Sequence, residues 1–96
     1  AVVYVRARLV NVLPVFLQSV DDVAKAIAKA VEEKDFEKLF RHGHTLKGSA
    51  ASFGFTRLSA LGAAIQTAAE RRDAVTAAAR MDELTAYMDR LEVKYR

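Results

Sequence analysis

Ninety-six residues make one domain, and a chain of this size buries only somewhat more than ~60% of its unfolded surface, so a single compact core is the ceiling. With 52% apolar residues, one proline, four glycines and no cysteine, the composition excludes a disordered or fibrous chain, a disulfide framework and a thiolate metal site. The net charge of +3 comes from basic residues dispersed among acids along each expected helix, which reads as solvated surface and not as a nucleic-acid face.

Val2, Val3, Tyr4 and Val5 have β propensity, but no second strand for them to pair with stands out. The apolar run Leu9–Leu17 is interrupted by Asn11 and Pro14 and is far too short to span a bilayer. No signal peptide is visible. A first helix is expected from about Asn11 to Glu33, with Leu13, Phe16, Leu17, Val20, Val23, Ala24, Ile27, Ala30 and Val31 recurring on one side. Asn11 would cap it, with Pro14 in the first turn, where a missing N–H costs nothing. A helix starting near Tyr4 would instead be kinked at Pro14.

Asp35 reads as the N-cap of a second helix, Phe36 to Phe53, and Gly54 suits the left-handed residue that follows a helix end. Its buried stripe is Phe36, Leu39, Gly43, Leu46, Ala50 and Phe53. Thr56 would cap a third helix reaching about Arg71, with Leu58, Leu61, Gly62, Ile65, Ala68 and Ala69 inward. Asp73 opens the fourth, where Ala77, Met81, Leu84, Met88, Leu91 and Tyr95 repeat with four-and-three spacing, the seam of helices packed near +20°. Every connection is short, so consecutive helices should be antiparallel neighbours. The expected fold is all-α, an up-down-up-down antiparallel four-helix bundle with a short N-terminal helix or extension, one domain over residues 1–96 with its bundle in about 9–96.

Chemistry concentrates in His44-Thr45-Leu46-Lys47-Gly48. His44, Lys47, Gly48 and Ala51 form a row on the edge of the buried stripe. Two of these four have almost no side chain, so the imidazole stands clear for a partner's active site. Glycine in a helix interior costs ~1 kcal/mol relative to alanine. Gly43 and Gly48, on either side of His44, were therefore not placed by helix stability, and Gly43 on the buried stripe suits close helix approach. An imidazole with its ordinary pKa near ~6.5 is partly neutral at cytoplasmic pH and can attack phosphorus through its unprotonated nitrogen. The phosphoryl group brings roughly two negative charges. Lys47, one turn away, would stabilise them as a flexible cation with three donors.

Gln66 is the expected support from the third helix. In a hairpin turning at Gly54 it lies about as far beyond the turn as His44 lies before it. His42 sits on another face from His44, so it reads as a surface residue and the pair cannot easily share a metal. The chain has no Gly-rich nucleotide loop ending in Lys and Ser/Thr, and no acidic cluster for Mg²⁺.

The segment Arg41-His42-Gly43-His44-Thr45-Leu46-Lys47-Gly48-Ser49-Ala50-Ala51-Ser52-Phe53-Gly54-Phe55 resembles the signature of histidine phosphotransfer (HPt) domains, a His-x-x-Lys-Gly core followed by a helix-ending glycine. The resemblance extends from about Leu9 to the C-terminus. It implies a small helical bundle that accepts a phosphoryl group on His44 and exchanges it with aspartates of response-regulator receiver domains. A polar residue matching Gln66 commonly hydrogen-bonds the imidazole or the phosphoryl group in such domains. In the related phosphorylation domain of chemotaxis kinases that position usually carries Glu, so Gln66 leans against that alternative.

On this reading the domain is a phosphoryl carrier and not an autonomous kinase. It needs no cofactor of its own, and Mg²⁺ is expected on the receiver partner. A histidine kinase, separate or in the same polypeptide, would supply the phosphoryl group. A cytoplasmic monomer is expected, without nucleic acid or direct membrane insertion; starting at Ala1, the chain reads as a processed protein or a domain cut from a longer one. Leu13, Phe16 and Leu17, with Ala51 and Ser52, are the candidate docking patch beside His44; two of the first three are expected to be core residues, and a single exposed member would suffice to nucleate a small, weak interface.

Three rivals are distinguishable. A helix-turn-helix in Phe55 to Arg71 has flanking helices too long and a basic surface too diffuse. A heme or metal bundle would need ligands from different helices, whereas both histidines share one. A degenerate interaction module would not need His44, Lys47 and Gly48 together.

Overall fold

The computed structural model describes residues 1–96. It is an elongated molecule of 40 × 20 × 17 Å built on four helices: α1 (Leu13–Glu33), α2 (Phe36–Ser52), α3 (Thr56–Glu70) and α4 (Ala74–Asp89). Two short strands, β1 (Val2–Val5) and β2 (Glu92–Tyr95), flank them, with a 3-10 turn at Ala7–Leu9. The helices pack into one core made of Leu13, Phe16, Val20, Ile27 and Ala30 from α1, Leu39, Leu46 and Ala50 from α2, and Phe55 from the α2–α3 turn. All six positions expected inward on α3 are buried, and Ala77 and Leu84 complete the core from α4.

The three inter-helix turns share one design. A left-handed residue, Lys34 (φ 53°), Gly54 (φ 81°) or Arg72 (φ 53°), stops each helix. The next residue, Asp35, Phe55 or Asp73, donates its N–H back to Ala30, Ala50 or Ala68 at 2.9 Å in each case. This six-to-one bond satisfies a carbonyl that the helix end would leave orphaned. The same residue then starts the next helix: Asp35 accepts from the Lys38 N–H at 3.2 Å and Asp73 from the Thr76 N–H at 3.0 Å. Phe55 instead caps α3 without a side-chain acceptor, so Thr56 is the first helical residue and not the cap. Asn11 does not cap α1 either. That helix begins at Leu13 behind Val12, with Pro14 in its first turn and no kink to explain.

The strands correct the sequence reading at both ends. The fourth helix stops at Asp89, and the residues expected to continue its seam to Tyr95 become β2. Here β2 runs parallel to β1 in the register Val2↔Glu92 to Val5↔Tyr95, supplying the partner strand that the sequence hides. The ladder is extended by Glu92 N–H to Ala1 O at 2.8 Å, and by Arg96 N–H to Val5 O and Ala7 N–H to Arg96 O, both at 2.9 Å. Tertiary pairing thus overrides the helical spacing of Leu91 and Tyr95. Leu91 still packs against the core, whereas Tyr95 is 44% exposed. Val5 is buried at the α2–α3 end of the bundle, and Val3 and Val93 pack partly against the core.

Candidate functional site

The site forms where α2 and α3 come closest. A methyl group on Gly43 would lie 2.8 Å from the Gln66 amide nitrogen and 3.0 Å from the Gly62 carbonyl oxygen. One on Gly62 would lie 2.6 Å from the Lys47 amide nitrogen and 2.9 Å from the Gly43 oxygen. These obstacles are backbone, so only glycine fits at either position. The crossing therefore sets Gln66 against Gly43 and Gly62 against Lys47, with the α3 backbone directly behind the residues on either side of His44. Ser59 adds a second tie, donating its hydroxyl to the Lys47 carbonyl at 2.9 Å. The Lys47 backbone is thus tied to α3 through its carbonyl oxygen and packed against Gly62 at its nitrogen.

On the outer side of α2 the surface is open. His44, Lys47 and Gly48 are exposed, and a methyl group on Gly48 would meet nothing within 4 Å. Neither His44 nor Lys47 is committed to an ion pair. Phe40, one turn before His44, lies nearly parallel to the imidazole, with ring centroids 6.3 Å apart and planes 3° apart. Offset stacking of this kind lies within the favourable range for aromatic pairs. It covers one side of the ring and leaves the Gly48 side free. Ser52 donates to the Gly48 carbonyl at 3.1 Å, satisfying an acceptor near the end of the helix.

Gln66 stands on α3 one residue out of step with His44, and its amide oxygen is buried without a hydrogen-bond partner. An orphaned acceptor of this kind costs free energy and calls for an explanation. His42 is half-buried, on a different side of α2 from the exposed row, so it is not the surface residue that its spacing suggests.

The candidate docking residues divide. Leu13 and Phe16 are core residues, 2% and 5% exposed, because the first turn of α1 is drawn against the aromatic pair Phe53 and Phe55. The Phe16 ring stacks on Phe53 at 4.3 Å and lies 5.4 Å from Phe55. Leu17 is half-buried, whereas Ala51 and Ser52 are exposed. The exposed apolar residues of this region are Val12 and Val15, 47% and 71% accessible. They border a groove of about 450 Å³ between α1 and α2, floored by Phe16 and Phe53 and edged by Ser19, Ser49 and Ser52.

Phe40, Ser59, Val12 and Val15 were not singled out from the sequence. Phe40 is legible in retrospect from its i, i+4 relation to His44. Ser59 depends on the hairpin register and is not.

The sequence matches the Hpt domain family over residues 11–94. It is also 43% identical over 49 residues to the phosphorelay intermediate protein YPD1 of Candida albicans, an alignment covering 51% of this chain and 27% of that protein. The chain thus spans about a quarter of the length of that relative. No solved structure matches it at a significant level. The match takes in the whole bundle, with His44, Lys47, Gly48 and the glycine crossing inside it, and the chain belongs to the Hpt domain family, the histidine phosphotransfer carriers of two-component phosphorelays.

Proposed function

We propose that His44 is the phosphoacceptor and donor of this domain and exchanges its phosphoryl group with the aspartate of a response-regulator receiver domain. The observation that carries this reading is the placement of an exposed imidazole beside a free ammonium and an open glycine, backed by a glycine crossing that leaves a buried amide oxygen unpartnered. The lone pair on the unprotonated ring nitrogen attacks the phosphorus of the receiver's aspartyl phosphate. The phosphorus–oxygen bond to the aspartate breaks, and the carboxylate leaves with that electron pair. The imidazolium so formed gives up a proton to solvent, and the product is a neutral ring with a nitrogen–phosphorus bond.

The reverse sequence returns the phosphoryl group. Lys47 stabilises the transferred oxygens, and the unpartnered Gln66 amide oxygen is the acceptor we assign to the N–H of the other ring nitrogen in the unphosphorylated domain, fixing the tautomer before attack. Phe40 limits the swing of the ring. Gly48 leaves room for in-line approach, so the chain supplies position more than chemistry.

Mg²⁺ belongs to the receiver in this scheme, and ATP chemistry to an upstream histidine kinase on the same or another polypeptide. The carrier itself has no kinase activity. No helix is long and apolar enough to cross a membrane. The cytoplasm is the proposed compartment and a monomer the proposed working form. The receiver seats against Val12, Val15 and the α1–α2 groove, with Ala51 and Ser52 at its edge, in place of the buried Leu13 and Phe16.

The direct test mixes the domain with phosphorylated receivers and Mg²⁺ and follows phosphate onto wild type and His44→Gln. Acid-labile, base-stable label on wild type alone is the expected result. Equal label on His44→Gln refutes the site.

A further inference from the structure

We infer that the α2–α3 end of the bundle carries a cationic cleft, lined by Arg6, Arg8 and Arg96, that steers the carboxylate-rich phosphoacceptor face of the receiver toward His44. The inference rests on the receiver reading above and adds to it a long-range electrostatic contribution from beyond the imidazole.

The cleft has a volume of about 260 Å³ and lies between the β1 end, the 3-10 turn and the backbone of Ala51–Gly54. None of its three guanidinium groups is in an ion pair. What sets these three apart from the other unpaired cations is their gathering: the pairing of β1 with β2 brings Arg6, Arg8 and Arg96 from the two ends of the chain to one cleft whose lining holds no aspartate or glutamate.

From Lys38 to Ala69, through nearly all of α2 and α3, there is no aspartate or glutamate, while Lys38, Arg41, Lys47 and Arg57 fall in that stretch. Over that stretch the two helices add cations and no acid to the surface that His44 shares. The cleft also shares Ser52 and Phe53 with the apolar groove proposed to seat the receiver. Ser52 is two turns beyond His44, ~12 Å along the helix at 1.5 Å per residue. A standard interface of ~800 Å² per partner covers both places at once.

The partner's chemistry supplies the complement. A pocket that holds Mg²⁺ through oxygen ligands and presents an aspartate is ringed by carboxylates. Fixed guanidinium groups facing such a rim raise the encounter rate and set orientation, and they contribute little once the complex has formed.

The experiment measures phosphoryl transfer from a receiver that labels the wild type, as a second-order rate constant across ionic strength and as the single-turnover rate at saturation. Arg6→Glu/Arg8→Glu should lose roughly tenfold or more in the second-order constant at low salt. It should keep the saturating rate and converge on wild type near ~0.5 M salt, where charges are screened beyond ~3–5 Å. Arg6→Gln/Arg8→Gln should fall between, and serves in place of the reversal if that variant loses its helical spectrum. Lys25→Glu/Lys29→Glu, an equal change of net charge on exposed α1, should lose much less.

An unchanged second-order constant overturns the cleft, as does an equal loss in the α1 control or a loss confined to the saturating rate. Binding of the wild type to phosphatidylserine vesicles that Arg6→Glu/Arg8→Glu abolishes, with transfer unchanged, would reassign the cleft to a lipid surface and also overturn it. Failure of every receiver to label the wild type is a different result, which removes the functional reading and the cleft together.

Discussion

Gly62→Ala tests whether the α2–α3 crossing is as tight as its geometry states. The added methyl group would sit 2.6 Å from the Lys47 amide nitrogen, 2.9 Å from the Gly43 oxygen and 3.0 Å from the Lys47 Cα. All three are backbone, so no rotamer change relieves the clash and the helices must separate. Overpacking of this kind costs ~1–3 kcal/mol and belongs at the upper end where nothing flexible can give. Alanine returns ~1 kcal/mol of helix propensity. The expected net loss is about 2 kcal/mol, a fall in Tm of roughly 8–16 °C for a domain of this size.

Gly48→Ala provides the opposite case in the same helix pair. Its methyl group meets nothing within 4 Å, so the propensity gain of ~1 kcal/mol stands alone and Tm should rise by roughly 4–8 °C. Thermal melts followed by circular dichroism, with urea titrations to confirm the free energies, read both. If Gly62→Ala is stabilised as Gly48→Ala is, the crossing is looser than described and the argument that it positions the site fails. Gly48→Ala should also transfer phosphate more slowly despite its higher Tm, because the new methyl stands one turn from the imidazole.

Lys47→Ala should slow transfer or shorten the phosphohistidine lifetime by roughly five- to thirtyfold, since an exposed ammonium ~4 Å from a unit charge contributes ~1 kcal/mol in water and faces up to two such charges; equal rate and lifetime would make Lys47 an ordinary surface residue. Gln66→Leu removes a buried, unpartnered amide, so stability should hold or rise while transfer falls and the tautomer balance of the His44 ring, followed by nitrogen NMR, changes. An unchanged tautomer balance with normal transfer would show that Gln66 does not reach the ring. Asp73 has its carboxyl held below the ordinary 3.8 by hydrogen bonds from the Thr76 side chain and backbone, so its contribution to stability is present above that value and is lost as pH falls through the lower folded value. Asp73→Ala should therefore be less stable near neutrality and show a flatter stability profile below about pH 4, read from melts across pH. A profile parallel to wild type would refute the assignment.

The helical part of this fold was legible because its signals are local. Asp35 and Asp73 announce helix starts, Gly54 announces an end, and the stripes of α2 and α3 name their buried residues in advance. The geometry of the candidate site was legible for the same reason, as His44, Lys47 and Gly48 share one exposed face of α2 whatever surrounds it. The parts that escaped depend on contacts far apart in the chain. Val2–Val5 becomes a strand only because Glu92–Tyr95 lies beside it, and Tyr95 leaves its helical seam only for that partner. That two of Leu13, Phe16 and Leu17 belong to the core was expected, but which two is decided by the packing of Phe16 on Phe53 and Phe55, which buries it with Leu13 and leaves Leu17 half-buried. Lys34 and Arg72 end helices in a conformation that their side chains do not advertise.

The parallel pairing of β1 with β2 also bears on how the domain assembles. The four helices meet through turns of two or three residues, so their contacts join segments close in sequence and can form on fast timescales. Joining Val2 to Glu92 instead requires nearly the whole chain to close on itself. Loop-closure entropy grows only slowly with length, but it is least costly once the intervening bundle already holds the ends together. Strand pairing should therefore be the last step of folding and the first to open, sensitive to substitutions that speed unfolding and leave the folding rate untouched. Amide protons of Glu92 and Arg96 would then exchange well before those of the α2–α3 crossing, separating a frayed belt from a bundle that stays closed beneath the exposed His44.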